Sequence, residues 1–215
     1  MSDGLKLYYS PGACSLASHI ALEESGVAFE AVRINFADAQ QRSPEYLAIN
    51  PKGRVPALAD GSFVVTENPA ILRYVARSAP AAGLWPEDPR LEARCAEWCA
   101  WCSSGIHIAY AHVRRAERYA TSEAAKVEVV EKGRETCREL WSQIDSRLGK
   151  GPWALGERYS VVDPYLLVFW LWGRGAVLGF DMARDFPNWT AQARRLAERP
   201  AVQRVLEREG LRAPE

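Results

Sequence analysis

Apolar and polar positions along the first part of the chain predict strands and helices in alternation. The apolar-rich run Leu5–Tyr9 predicts a strand, and Phe29–Ile34 shows the period-two alternation of a second strand. Between them, Ser15–Ser25 carries apolar residues at helical spacing and is followed by Gly26, a residue that often lies just past a helix end. This β-α-β order predicts a parallel pair of strands joined by a right-handed crossover.

A short helix, a hairpin and a longer helix complete this part of the pattern. Pro44–Ile49 predicts the short helix. Asp60-Gly61, placed between the apolar runs Val55–Ala59 and Phe63–Val65, predicts an antiparallel hairpin. Glu67–Ser78 then predicts a third helix.

Helical spacing dominates the rest of the chain, after a stretch rich in proline and glycine at Ala79–Pro89. Arg90–Arg118 predicts one long helix, and Ser122–Leu148 predicts a second that Ser122 caps. Ser160-Val161-Val162-Asp163 is a capping box that opens another helix. Two shorter helices are predicted over Asn188–Arg199 and Pro200–Glu209.

These elements predict an α/β fold followed by an all-α fold. We expect an N-terminal domain over residues 1–79, a linker over 80–89 and an all-helical domain over 90–215.

Composition excludes several classes of function. Lys+Arg and Asp+Glu balance at 27 each, so no net positive charge directs the chain to nucleic acid or to an anionic membrane surface. The longest apolar run, Tyr165–Trp172, is far shorter than a membrane span. The sequence lacks the pattern of a secretory leader, and its 5 cysteines do not form the pattern of a small secreted domain. A reducing cytoplasm is the expected location.

One cysteine stands out by its position. The turn Ser10-Pro11-Gly12-Ala13 delivers Cys14 to the first turn of the predicted helix Ser15–Ser25. Unpaired backbone N–H groups and the helix dipole favour a thiolate there, which makes Cys14 a candidate for sulfur chemistry. A buried structural cysteine is the alternative.

Several segments together resemble the cytosolic glutathione transferases, most closely the bacterial cysteine-type (beta-class) branch. They occur in the family's order and spacing: Tyr8–Ser15, Ile49–Gly53, Val55–Leu58, Thr66-Glu67 and Ser160–Asp163. The resemblance implies a thioredoxin-like first domain, a helical second domain and a homodimer. It also implies glutathione as co-substrate, a small hydrophobic electrophile as second substrate and no metal.

The same resemblance assigns candidate residues. Cys14 and His107 would act on the sulfur of glutathione, with Ser15 and Tyr9 as rival donors. Tyr9 shares a strand face with Leu5 and Leu7, which favours packing instead.

Glutathione binding is assigned to a second set, namely Val55, Pro56, Glu67, Asn68 and Ser104. Pro56 resembles the family's cis-proline, which would leave the backbone of Val55 free to pair with the tripeptide like an added strand. An ordinary trans-proline at a strand edge is the alternative. Glu67 would hold the ammonium group, although it would also complement the helix dipole without any ligand.

Tyr110 and Trp172 would line the electrophile pocket. Trp170 and Trp172 cannot share one helix face, so at least one of them is expected to pack inside.

The chain also departs from the family pattern. Ala100 stands in place of an asparagine, Gly105 in place of an acidic residue, and the loop Asp38–Gln41 lacks a lysine. These departures imply weaker or altered glutathione binding. Thiol–disulfide exchange through Cys14 is a candidate second activity. A glutathione-dependent reductase, dehalogenase or isomerase, or a binding protein without turnover, are the alternatives.

Cys95, Cys99 and Cys102 have a spacing that also occurs in iron–sulfur enzymes. Here the three residues fall within a helical pattern and form one stripe of it, which favours packing.

Overall fold

The computed structural model describes residues 4–214, so residues 1–3 and 215 of the two predicted domains lie outside the described residues. Its sheet has the strand order β2-β1-β3-β4, where β1 is Leu5–Tyr9, β2 is Phe29–Arg33, β3 is Ala57–Asp60 and β4 is Phe63–Thr66. β1 is parallel to β2 and antiparallel to β3, which is antiparallel to β4. Both the β-α-β unit and the hairpin are confirmed.

Helices accompany the sheet and then make up most of the remaining chain. Those within the first part are α1 (Ser15–Ser25), α2 (Pro44–Ile49) and α3 (Asn68–Ser78). Those after it are α4 (Pro89–Trp101), α5 (His107–Arg114), α6 (Glu123–Leu148), α7 (Val162–Arg174), α8 (Met182–Asp185), α9 (Pro187–Ala197) and α10 (Pro200–Glu209). The predicted fold class, α/β followed by all-α, is confirmed.

The prediction of a single helix over Arg90–Arg118 is wrong in two respects. A π-helical turn at Cys102–Ile106 separates α4 from α5, and α5 ends at Arg114, before a 3₁₀ turn at Ala116–Arg118. A continued α-helix would place Arg114 and Arg118 one turn apart on the same face. Like charges at that spacing destabilise a helix.

The capping box before α7 is formed as predicted. The backbone N–H of Ser160 donates to Asp163 Oδ2 at 2.8 Å, and the N–H of Val162 donates to Ser160 Oγ at 3.3 Å. Asp163 also accepts from the Ala154 N–H at 2.9 Å and from the Gln192 amide at 3.0 Å. Its burial raises the pKa of the carboxyl to about 6, against the opposing effect of these hydrogen bonds.

A shared core joins the sheet to the helical part. α7 is buried along most of its length and packs against α1, which also contacts α10. Trp170 points into this core and donates its indole N–H to Thr190 Oγ1 at 3.0 Å. The prediction that one tryptophan of the pair packs inside is confirmed.

Of the helices described between residues 4 and 214, none combines the length and the apolar composition that crossing a bilayer requires.

Candidate functional site

Two adjoining cavities form one cleft between the sheet and α5. The residues that line both are Cys14, Arg54, Val55, His107, Ala111 and Arg118. We call the first the aromatic lobe, about 360 Å³, because Phe36, Tyr110 and Trp172 line it. The second, about 390 Å³, is the sheet-side lobe, lined by residues around β3 and the start of α3. Each volume is in the range of small-molecule sites.

Cys14 lies where the two lobes meet, immediately before α1. Its thiol donates to the carbonyl oxygen of Val55 at 3.5 Å. Burial raises its pKa to about 12, and the negative charge of Glu67 adds to the effect. The backbone N–H groups of Cys14 and Ser15 and the charge of Arg54 act in the opposite direction but are outweighed.

The expectation of a thiolate at Cys14 is therefore corrected for the unliganded protein. The helix N-terminus does favour the anion, as the sequence predicted, but loss of hydration costs more. Cys14 is a neutral hydrogen-bond donor at neutral pH.

The two rival donors lie outside the cleft. Ser15 is fully buried, where its hydroxyl donates to the Ser10 carbonyl at 3.2 Å and accepts from the Ser10 N–H at 3.1 Å. Tyr9 packs in the core, with its ring centroid 4.7 Å from that of His19. These positions fix the turn before Cys14 and argue against direct contact of either residue with a ligand.

Val55 and Pro56 line the sheet-side lobe, and the peptide bond between them is cis. The cis-proline expectation is thus met, and the trans alternative is wrong. The Val55 carbonyl accepts a hydrogen bond from the Cys14 thiol, so it is not unpaired as expected.

Glu67 and Asn68 lie at the start of α3, on the wall of the sheet-side lobe. Glu67 has a φ of 73°, in the left-handed region, and its carboxylate contacts Lys52 Nζ at 2.6 Å. Asn68 accepts from Ser18 Oγ at 2.6 Å and donates to the Cys14 carbonyl at 2.8 Å. Its side chain therefore joins the starts of α1 and α3.

His107, Tyr110 and Trp172 form the wall of the aromatic lobe. Tyr110 and Trp172 stack with centroids 4.4 Å apart, and the ring of His107 meets the indole edge-on at 5.1 Å. The Trp172 indole N–H donates to the Gly12 carbonyl at 2.9 Å. Burial lowers the pKa of His107 to about 4, with a further contribution from Arg54 and Arg118, so its imidazole is neutral at physiological pH.

Ser104 lies outside both lobes and donates to the Ala100 carbonyl at 2.8 Å, whereas its neighbour Ser103 lines the sheet-side lobe. Tyr165, from the buried face of α7, lines that lobe as well. Neither was found from the sequence, because both are inconspicuous members of helical runs.

Arginines are the largest group that the sequence analysis missed. The aromatic lobe is lined by Arg42, Arg54, Arg114, Arg115 and Arg118. Three of these follow one another closely at the end of α5, which was a signal in the sequence. Their convergence with Arg42 and Arg54 depends on the tertiary fold.

Three of the cysteines, Cys95, Cys99 and Cys102, are buried along α4 and the π-helical turn. Among residues 4–214, no three His, Cys, Asp or Glu side chains converge as a metal site would require.

Comparison with known families agrees with the architecture. The sequence model described as "Glutathione S-transferase, N-terminal domain" matches residues 3–77, and that described as "Glutathione S-transferase, C-terminal domain" matches residues 105–200. The chain belongs to the glutathione S-transferase family. Its four-stranded mixed sheet is the thioredoxin-like part of that fold.

Family members from several bacteria match nearly end to end. Glutathione S-transferase GstA of Escherichia coli O157:H7 is 33% identical over 97% of this chain and 100% of its own length. Glutathione S-transferase GST-4.5 of Xanthomonas campestris is 33% identical over 96% of this chain and 100% of its own length.

Solved structures of the family superpose closely. A glutathione transferase homologue from Sulfitobacter, with bound glutathione, has a TM-score of 0.89 and 38% identity, covering 95% of this chain and 98% of its own. The beta-class glutathione S-transferase of Sphingomonas chungbukensis has a TM-score of 0.81 and 37% identity, covering 96% and 100%.

Proposed function

We propose that this member of the family conjugates the thiolate of glutathione to small electrophiles. Glutathione occupies the sheet-side lobe and the electrophile occupies the aromatic lobe. The observation that carries the proposal is the position of the Cys14 thiol, which lines both lobes at their junction. A sulfur atom held beside Cys14 faces whatever the aromatic lobe contains.

Glutathione is anchored by the elements that flank the sheet-side lobe. The backbone of Val55 pairs with the cysteinyl unit, as an added strand would. The backbone N–H of Asn68, the first of α3, suits the γ-glutamyl carboxylate, and the Glu67 carboxylate suits the ammonium group. Ser104 directly follows the lining residue Ser103, so a shift of the π-helical turn would bring its hydroxyl to the bound tripeptide.

Cys14 and His107 act as neutral donors to the bound sulfur. With a pKa of about 12, the Cys14 thiol keeps its proton, and it turns its S–H from the Val55 carbonyl to the glutathione thiolate. The neutral imidazole of His107 donates one ring N–H. The thiol proton of glutathione leaves to solvent, and the thiolate then forms the new C–S bond as the leaving group departs with its electron pair.

Thiol–disulfide exchange is the second candidate, because the Cys14 sulfur borders the cleft. The Cys14 thiolate would attack glutathione disulfide, forming a mixed disulfide and releasing one glutathione thiolate. The raised pKa makes this path slow at neutral pH, since few Cys14 side chains are ionised there.

Kinetics with glutathione and 1-chloro-2,4-dinitrobenzene test the proposal. Glu67→Gln weakens the hold on the ammonium group, so the KM for glutathione rises about tenfold while kcat changes little. Glu131→Gln, at an exposed position on α6, is the matched control and leaves both unchanged. If wild-type protein binds glutathione in a calorimeter but forms neither conjugate nor reduced disulfide, the chain is a binding protein and conjugation is wrong.

We also propose a homodimer in the cytoplasm. All five cysteines are free thiols, as a reducing compartment requires. Light scattering that returns the mass of two chains supports the dimer, and the mass of one chain contradicts it.

A further inference from the structure

The aromatic lobe has an unusual distribution of charge. Its lining includes five arginines and not one carboxylate, namely Arg42, Arg54, Arg114, Arg115 and Arg118. The chain as a whole has equal numbers of acidic and basic residues. Positive charge is thus concentrated at this cleft.

Within residues 4–214, no salt bridge or side-chain hydrogen bond neutralises these five guanidinium groups. The ion pairs of the described chain involve other arginines, and Glu67, the acid that lines the sheet-side lobe, contacts Lys52. The pKa of Arg118 is lowered by burial and then by the positive charges of Arg54 and Arg115. The arginines repel one another, and folding gains nothing from their convergence.

Glutathione accounts for only part of this charge. It has two carboxylates and one ammonium group, and its γ-glutamyl end belongs to the sheet-side lobe. The glycyl carboxylate can engage Arg42, in the 3₁₀ turn before α2, or Arg54, in the segment that leads into β3. Of the other three, Arg118 lines both lobes, whereas Arg114 and Arg115, at the end of α5, line only the aromatic lobe.

Arg114 and Arg115 adjoin an aromatic wall. Arg114 is one helical turn from Tyr110, which stacks on Trp172, and Phe36 faces the same lobe from the loop after β2. A flat unsaturated group suits the rings, and a carboxylate or sulfonate suits the guanidinium groups. Both features occur in one cavity.

We propose that the second substrate is an anionic aromatic or conjugated electrophile, with its negative group held by Arg114 and Arg115. This inference rests on the proposed conjugation and narrows the expected hydrophobic electrophile to a negatively charged one. With an aryl chloride, the thiolate forms a C–S bond at the chlorine-bearing carbon, and chloride leaves with the electron pair of the C–Cl bond. The carboxylate takes no part in bond making.

A matched pair of substrates tests the charge alone. 4-Chloro-3,5-dinitrobenzoate and its methyl ester share a reactive carbon but differ by one negative charge. We expect kcat/KM for the acid to exceed that for the ester by about tenfold or more at saturating glutathione, after correction for the uncatalysed rates. Arg114→Met and Arg115→Met each lower this ratio several-fold without changing the KM for glutathione, because both residues line the aromatic lobe and not the sheet-side lobe.

Arg194→Met, at an exposed position on α9, is the control and leaves the ratio unchanged. Raising the ionic strength from about 0.01 to 0.15 M lowers the rate for the acid and not for the ester. An equal loss for both substrates, together with a raised KM for glutathione, would assign the arginines to the tripeptide and overturn the inference. An acid-to-ester ratio of one would overturn it as well.

Binding of the two products separates this inference from the proposed function. Calorimetry with the S-aryl glutathione conjugates of the acid and of the ester needs no turnover. If neither substrate is conjugated but the acid conjugate binds more tightly, and Arg114→Met abolishes the difference, then conjugation fails while the anion site stands. If both conjugates bind equally to the wild-type protein, the anion site is wrong whether or not turnover occurs.

Discussion

The carboxylate of Glu209 accepts a hydrogen bond from the backbone N–H of Gly12 at 2.9 Å, linking the last helix to the turn that precedes Cys14. The other carboxylate oxygen of Glu209 lies 2.7 Å from His19 Nδ1, in a fully buried pair. Trp172 holds the carbonyl of the same glycine. Both backbone groups of Gly12, which has a φ of 69°, are thus fixed by the helical part of the chain.

Glu209→Ala should destabilise the protein by about 3 kcal/mol, because it leaves a buried imidazole and a buried N–H without their partner. Urea unfolding measures the change. Glu207→Ala, exposed on the same helix, is the control and should stay within about 0.5 kcal/mol of wild type. A Glu209→Ala variant as stable as the control would show that the link contributes nothing.

Alkylation of Cys14 should become about tenfold faster with each pH unit between about pH 7 and 9, because a pKa of about 12 keeps the thiolate fraction small throughout that range. Iodoacetamide labelling followed by mass spectrometry measures the rate. Cys14→Ser reports labelling of the four buried cysteines and should be almost inert. A rate that levels off below about pH 8 contradicts the raised pKa.

Asp163 should make the protein less stable as pH rises. Its pKa is about 6 in the folded protein and near 3.8 when unfolded, so the folded state binds the proton more tightly. The stabilisation present at low pH is lost as pH rises through the window between these values.

Comparison with Asp163→Asn isolates this titration from those of other groups. The variant loses an acceptor for the Ser160 N–H and is less stable throughout. Its deficit relative to wild type should shrink by about 2 kcal/mol between about pH 4 and pH 7, as judged by urea midpoints. A constant deficit would mean that burial does not perturb the carboxyl.

Gly133→Ala should destabilise the protein by about 1–3 kcal/mol, although alanine is the better helix former by about 1 kcal/mol. A Cβ at Gly133 would lie 2.9 Å from His112 Cβ and 3.0 Å from Val113 Cγ2, where α6 packs on α5. These atoms are fixed close to the backbone and cannot move away cheaply. Thermal unfolding measures the loss, and Ser142→Ala on the exposed side of α6 serves as the control.

Features encoded over short stretches of sequence were predictable. Asp60-Gly61 located the β3–β4 hairpin because its residue types suit a tight turn. Ser122 and Ser160 located two helix starts because their side chains bond backbone groups within three residues. The family resemblance added Pro56, whose cis peptide bond no local pattern dictates.

Features that depend on tertiary packing could not be predicted from the sequence. The dipole of α1 is a local property and correctly favours an anion at Cys14, but the loss of hydration comes from residues far along the chain. Ser15 was a candidate donor to the glutathione sulfur, but its hydroxyl is hydrogen-bonded to the backbone of Ser10. The arginines of the aromatic lobe come from separate loops and helices, and their meeting has no signature in any one segment.

The π-helical turn at Cys102–Ile106 inserts one residue into what would otherwise be a continuous α-helix from Pro89 to Arg114. That extra residue offsets the angular phase of α5 from that of α4 by about 100°. The buried cysteines of α4 and the cleft-lining residues of α5 therefore lie on different faces of the helix. A deletion of one amino acid within the turn would re-phase every side chain beyond it and turn His107 and Tyr110 away from the wall that they now form with Trp172.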